Sequence, residues 1–395
     1  MTDGTPQRAN ASSSQAERFS SAYRVLQEAI ERRAFPGCAF GLLARGKVLL
    51  QDALGHFTYD EGSRKVTPET VYDIASLTKV VSTTAAAMLL HQRGRLDLDT
   101  RLGDLLPGFV VGRASSRNAR RVTLRNLLAH NSGLPGYAEL FRTAATPAAL
   151  FRACLQLPLE AEPGQRAEYS DIGFILLGKA LEVLTHEHLA PWVRREIFDP
   201  LKLSATSFCP APQDRILIPP TEIDEIFRHR RIQGEVQDEH AWLLHGAAGH
   251  AGVFSNVPDL LRFSAEILAA SSHSDGSAPI ASASPSPDTP LLHAETITLF
   301  AQRQPPEGSS RALGWDTPSA NSSSGRHFSA HSIGHLGFSG CSLWIDLEQQ
   351  IAVVLLTNRT WPDRRDQQIR DVRPAFHDAL LEALAQPGTQ NPKQP

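Results

Sequence analysis

Near residue 76 the chain passes from an extended approach into a helix that carries two reactive side chains on its first turn, and that junction constrains the rest of the fold. The stretch runs Asp73-Ile74-Ala75-Ser76-Leu77-Thr78-Lys79-Val80-Val81. Val71, Tyr72 and Ile74 supply the apolar approach, and small residues from Ser82 to Leu90 supply a helix that Gly94 ends. Residues three apart share a helical face, so the Ser76 hydroxyl and the Lys79 amine project together. The amine can take the hydroxyl proton. The orphan N–H groups of that turn, with the positive end of the helix dipole, favour negative charge on a nearby oxygen. This is the local chemistry of an acyl-enzyme nucleophile. A serine there also suits a helix cap, with the lysine in solvent, so the pair alone leaves both readings open.

The 395 residues, 41% of them hydrophobic, suffice for one large domain or two with a sizeable core. A net charge of -3 without long basic runs gives no footprint for nucleic acid or an anionic membrane, and neither partner is expected. The first residues lack a charged stretch followed by an apolar one, and no apolar run approaches the ~18 residues of a membrane span. The expected location is cytoplasmic. Cys38, Cys154, Cys209 and Cys341 are far apart and form no Cys-x-x-Cys pair, so reduced thiols are expected, without zinc or a redox dithiol.

Taken in order, residues 1–13 read as a flexible tail, and Phe19, Tyr23, Leu26 and Ile30 at helical spacing predict an amphipathic helix ending before Pro36. Cys38 to Leu43 and Val48 to Leu50 predict a hairpin, and Thr70 to Ile74 an extended approach to Ser76. Residues 95–240 carry little strand pattern and are expected to form a mostly helical insertion. Within it, Tyr169, Ser170 and Asp171 stand at a second loop-to-helix junction. Glycines and alanines from Gly246 to Gly252 imply close backbone approach beside a cleft. Residues 271–290 read as a flexible loop. Gly334 to Asp346 reads as strand-like, paired through a turn at Leu347 to Gln349 with a strand from Gln350 to Thr357. A last helix is expected to begin near Pro374, with 386–395 as a second flexible tail. The α/β catalytic part is thus 14–94 with 241–385.

Ser76-x-x-Lys79, Tyr169-Ser170-Asp171 and His335-Leu336-Gly337 occur in one order. Together they resemble the serine β-lactamase, penicillin-binding protein and carboxylesterase superfamily, in its class C-like branch. His130 to Pro135, Ala312 to Trp315 and Ser342 to Asp346 look like it too. The resemblance implies an α/β fold, with an antiparallel sheet built from both chain ends, helices on its faces and a helical region inserted. It implies Ser76 as nucleophile, Lys79 and Tyr169 sharing general-base work, His335 and Gly337 as a strand wall of the cleft, and the backbone N–H groups of Ser76 and Phe338 as oxyanion hole.

Three positions depart from the family pattern. Asp171 stands where Asn is usual and can pair with Lys79, favouring the ammonium and shifting the base role toward Tyr169, or can cap the following helix. His335 and Leu336 stand where Lys and a hydroxyl residue are common, which weakens recognition of a substrate carboxylate. His250, between glycines, is a further candidate for the cleft. His240, His245, His250, His327, His331 and His335 show no familiar ligand spacing, so no metal and no cofactor are expected. The expected activity is an esterase-like serine hydrolase. A D-amino-acid peptidase or amidase on cell-wall peptides, or a non-catalytic binding homologue, are the alternatives. The substrate is a small ester, amide or short peptide; the oligomeric state is left open.

Overall fold

The computed structural model of the protein describes residues 16–113, 116–272, 290–320 and 322–386; the expected tails and the 271–290 loop lie almost wholly outside them. In chain order, the elements that position the site are α1 (Ser20–Glu31), β1 (Gly37–Ala44), β2 (Lys47–Gly55), β3 (Tyr72–Asp73), α2 (Ala85–Gln92), α3 (Asp171–Thr185), β4 (Ser207–Phe208), β5 (Pro220–Asp224), β6 (Arg230–Gln233), β7 (Val253–Ser255), α4 (Val257–Ser272), β8 (Ser332–Leu336), β9 (Ser342–Asp346), β10 (Ile351–Thr357) and α5 (Ile369–Ala385).

The main sheet has the order β2-β1-β10-β9-β8 with every neighbouring pair antiparallel, so both chain ends build it. Alternation along β10 divides the core. Val353 and Leu355 pack with Phe19, Leu26 and Phe376 of the α1 and α5 side. Ala352, Val354 and Leu356 join Val257 and Leu261 of α4 and the residues around Ser76 on the other. With both faces covered, β10 reads as an unbroken apolar run rather than as alternation.

Several expectations need correction. The strand-like run from Gly334 to Asp346 is two strands, β8 and β9, folded back on each other through Gly337 to Cys341. The approach to Ser76 is only β3, and it pairs with β7 in a small sheet β3-β7-β4, away from the main one. Residues 207–233 contribute β4 and the hairpin β5-β6 to a region read as lacking strands. The last helix starts five residues before Pro374. An interior proline costs roughly 3 kcal/mol through its lost hydrogen bond and ring clash. Here the buried stripe Ile369, Val372, Phe376 and Leu380 runs straight through it, and burying such side chains, at roughly 1.5–3 kcal/mol each, outweighs that. Among the described residues no helix is long and apolar enough to cross a membrane.

Candidate active site

Ala75 adopts the left-handed region (φ 46°), rare for a residue with a side chain. Its N–H donates to Asp73 Oδ1 at 2.8 Å, and Asp73 Oδ2 accepts from the Gln237 N–H at 2.8 Å, so one buried carboxylate ties the strained residue to the opposite wall. Burial pushes the Asp73 carboxyl up to about 6. Beyond Ala75 the chain makes one 3-10 turn (Ala75–Leu77) and a wider π-helical turn (Lys79–Thr84) before α2 begins. The first turn is thus not the regular α-helix expected, yet Lys79 Nζ still reaches Ser76 Oγ at 3.0 Å.

Lys79 is fully buried and also donates to Asp171 Oδ1 at 2.6 Å and to the His250 carbonyl at 3.2 Å. Burial disfavours its ammonium, but the Asp171 carboxylate, with Tyr169, more than offsets this and holds the Lys79 pKa above its ordinary value. Asp171 is the first residue of α3, whose cap is Ser170: its Oγ accepts from the Gly173 N–H at 3.0 Å. The capping alternative for Asp171 is therefore excluded, and its side chain is free to pair with Lys79.

Tyr169 lies beside the same pair, with Lys79 Nζ 4.7 Å from its ring centre; burial, partly opposed by Lys79, raises its pKa and keeps it a phenol. His130 fixes this tyrosine from behind. Its ring lies 4.7 Å from Tyr169 and 5.0 Å from Phe174, and its Nδ1 accepts from the Ser170 N–H at 3.0 Å.

On the facing strand, His335 is buried and its Nδ1 is 2.8 Å from the Leu336 carbonyl, so Nδ1 carries the proton and Nε2, which has no partner among the described residues, can only accept. Burial, reinforced by Lys79 and Arg311, lowers the His335 pKa well below the usual histidine range. The imidazole is neutral, in line with the weakened carboxylate recognition expected from the sequence. Gly337 must be glycine: a Cβ there would lie 2.5 Å from the Ile74 carbonyl. That contact presses the end of β8 against the backbone leading to Ser76, and the next amide, of Phe338, donates to no backbone carbonyl among the described residues.

Ser76, Tyr169, Asp171, His335, Gly337 and Phe338 all line one cleft of about 750 Å³. His250 does not: its imidazole is buried behind the wall, and only its carbonyl meets Lys79. Close approach explains the local glycines, since a Cβ on Gly249 would fall 2.2 Å from the Phe174 carbonyl of α3. Asp238, His240 and His250 offer ligand atoms within 4.8 Å of one another. The Asp238 Oδ1 accepts from His250 Nε2 at 2.7 Å and from the Ala241 N–H at 2.7 Å, so this carboxylate both holds the His250 ring and caps the short helix that follows it. Arg311, which carries no motif, enters the cleft with its guanidinium 5.2 Å above the Tyr169 ring.

The chain is similar in sequence and in fold to other proteins. The chain is 28% identical to an N-acetylmuramyl-L-alanine amidase of Bacillus subtilis (strain 168) over 370 residues, 85% of this chain and 80% of the relative. It is 26% identical to a protein of Escherichia coli (strain K12) named provisionally as a D-alanyl-D-alanine carboxypeptidase, covering 93% of this chain and 88% of that one. Its fold is similar to that of EstCE1, a hydrolase with promiscuous acyltransferase activity (TM-score 0.69, 22% identity, 91% of this chain and 99% of that one). It is also similar to a penicillin-binding protein homologue from Caulobacter crescentus (TM-score 0.69, 17% identity, 97% and 99%). The Beta-lactamase family matches residues 23–375, and the chain belongs to that family of serine hydrolases.

Proposed function

We propose that the protein cleaves an ester or amide through an acyl intermediate on Ser76, with esters of small acyl groups as the preferred class. The observation that carries this reading is the 3.0 Å approach of Lys79 Nζ to Ser76 Oγ at the wall of an open cleft. At rest the site holds an ammonium, a carboxylate and a phenol. Moving one proton from Lys79 to Asp171 across 2.6 Å leaves a neutral amine facing Ser76 and no charge buried there. That amine takes the Ser76 proton as Oγ bonds to the acyl carbon, and the resulting oxyanion sits against the Ser76 and Phe338 N–H groups. The Tyr169 phenol protonates the departing oxygen or nitrogen and regains its proton from Lys79. Water then attacks the acyl-serine by the same route in reverse and releases the acid.

Ester preference rests on the strand wall. Neutral His335 with an accepting Nε2, and Leu336 without a hydroxyl, offer nothing to a substrate carboxylate. Arg311 favours a second reading. Its guanidinium faces the cleft, and the carboxylate paired with it, Asp316, is 3.9 Å away, too far for a hydrogen bond. A substrate carboxylate placed there would suit a short cell-wall peptide, a reading supported by the amidase and carboxypeptidase names of the Bacillus subtilis and Escherichia coli relatives.

Intact-mass analysis after separate incubation with a fluorophosphonate, p-nitrophenyl acetate and benzylpenicillin tests both. A single fluorophosphonate adduct, absent in Ser76→Ala, is expected. Adduct persisting in Ser76→Ala, or mapped to Ser339, would end the nucleophile assignment; Ser339 Oγ is buried and donates to the Asp73 carbonyl at 2.8 Å. A penicilloyl adduct lost in Arg311→Met would move the weight to the peptide reading.

A further inference from the structure

The turn that carries the Phe338 amide is held by two arginines far from it in sequence. Arg373, on α5, is 6% exposed and donates through Nη2 to the Gly337 carbonyl at 2.7 Å and the Cys341 carbonyl at 3.0 Å, and through Nε to the Gly340 carbonyl at 3.1 Å. Arg359 Nε donates to the Phe338 carbonyl at 2.8 Å. Among the described residues no carboxylate pairs with Arg373. Burial, with Arg359 and Arg370 nearby, lowers its pKa to about 10, which leaves it charged at neutral pH. A buried cation without a counter-ion is expensive. All three of its hydrogen bonds go to backbone carbonyls of this one turn, so the turn is what the charge acts on.

Covalent geometry supplies the means. The Gly337 carbonyl and the Phe338 N–H belong to one planar peptide unit, so a guanidinium on the oxygen fixes the direction of the N–H and withdraws electrons from it. The carbonyl on the far side of Phe338 is held by Arg359. We infer that Arg373 is a positioning residue of the oxyanion hole: it orients the Phe338 N–H toward Ser76 and strengthens it as a donor. This rests on the proposed acyl-Ser76 reading.

Loss of a whole oxyanion donor costs about 10²–10³ in kcat. Arg373 acts through the donor, so Arg373→Met is expected to lower kcat for p-nitrophenyl acetate by about 10- to 100-fold with KM within about threefold, and Arg373→Lys, which keeps a cation, by less. Affinity for a boronic acid that forms a tetrahedral adduct on Ser76 should fall in parallel. The infrared carbonyl stretch of the acetyl-enzyme should move to higher frequency in Arg373→Met, because its oxygen is less polarised. Unchanged kcat and carbonyl frequency in a folded variant would overturn the inference, as would failure of both variants to fold, which would make Arg373 purely structural. Absence of any Ser76 adduct in the unmodified protein would instead overturn the functional reading.

Discussion

Asp171→Asn is the most informative single change, because it strips the counter-ion from a fully buried ammonium while keeping the shape of the site. Removing one partner of a buried pair costs about 3–5 kcal/mol. Asp171 is 18% exposed, which places the expected loss at the lower end, about 3 kcal/mol at pH 7. The loss has a ceiling. Lys79 can shed its proton, and from an ordinary pKa of 10.5 that costs about 5 kcal/mol at pH 7 but only about 2 kcal/mol at pH 9, at 1.36 kcal/mol per unit. In the unmodified protein the folded Lys79 pKa is raised, so its stabilising contribution is complete below 10.5 and is lost only as pH rises through the folded value. Between pH 7 and 9 that contribution is flat. In Asp171→Asn the burial effect is no longer offset by a carboxylate, so Lys79 pulls stability down as pH falls from 10.5. Urea unfolding of both proteins at pH 7 and pH 9 should therefore show a stability difference that shrinks at the higher pH. The same group sets activity: kcat/KM for p-nitrophenyl acetate should climb by up to tenfold per pH unit in the variant over a range where the unmodified enzyme is level. A difference of the same size at both pH values, or one under about 0.5 kcal/mol, would refute the buried pair as the controlling element.

Tyr169→Phe should lower kcat by at least ~10²-fold on an amide but by much less on p-nitrophenyl acetate, whose leaving group needs no proton; equal losses on both would leave Tyr169 as packing alone. Benzylpenicillin should be turned over with far lower kcat/KM than p-nitrophenyl acetate, and Leu336→Thr with His335→Lys should narrow the gap by about one to two decades, the worth of a charge-assisted hydrogen bond. Asp73→Ala should lower kcat more than KM, because the strained Ala75 loses the 2.8 Å bond that holds it. With its carboxyl raised to about 6, Asp73 withdraws stability as pH rises from its ordinary value of 3.8 through 6, so the variant should lack that decline when unfolding is followed from pH 4 to 7.

The parts of the site that are local in sequence were legible there. Ser76 and Lys79 meet because they are three residues apart on a tight turn, and the order of the three motifs gave the sheet and its insertion. Asp171 as a partner of Lys79 was legible too, though not its separation from the cap, which Ser170 provides. What escaped was built by contacts across the fold. Asp73 and Gln237 are 164 positions apart, and Arg373 reaches Gly337 across 36. Neither arginine that holds the Phe338 turn sits in a motif. The run from Gly334 to Asp346 looked continuous because both strands are buried and apolar; only Gly337 and Gly340 signalled the fold-back between them. His250 misled for a related reason, since a histidine between glycines beside the cleft serves through its carbonyl and turns its ring away.

Two of the departures from the family pattern, Asp171 and His335, act on the same quantity, the charge that a substrate meets beside Ser76. Asp171 in place of a neutral amide neutralises Lys79, and a neutral His335 in place of a lysine removes a second cation. Each alone would weaken the positive field that draws an anionic substrate and steadies an oxyanion. What remains positive along the cleft is supplied from elsewhere: Arg311 above Tyr169, Arg359 and Arg373 behind the Phe338 turn, and Arg364 and Arg370 on the same wall. Their placement separates two tasks that one lysine on the strand would combine. The buried pair acts on the oxyanion through fixed peptides, whatever the substrate, while Arg311 lines the cleft beside Tyr169, where a substrate carboxylate can meet it. Selectivity and turnover should accordingly come apart under mutation, with Arg311→Met changing which acyl donors are accepted and Arg373→Met changing how fast any of them reacts.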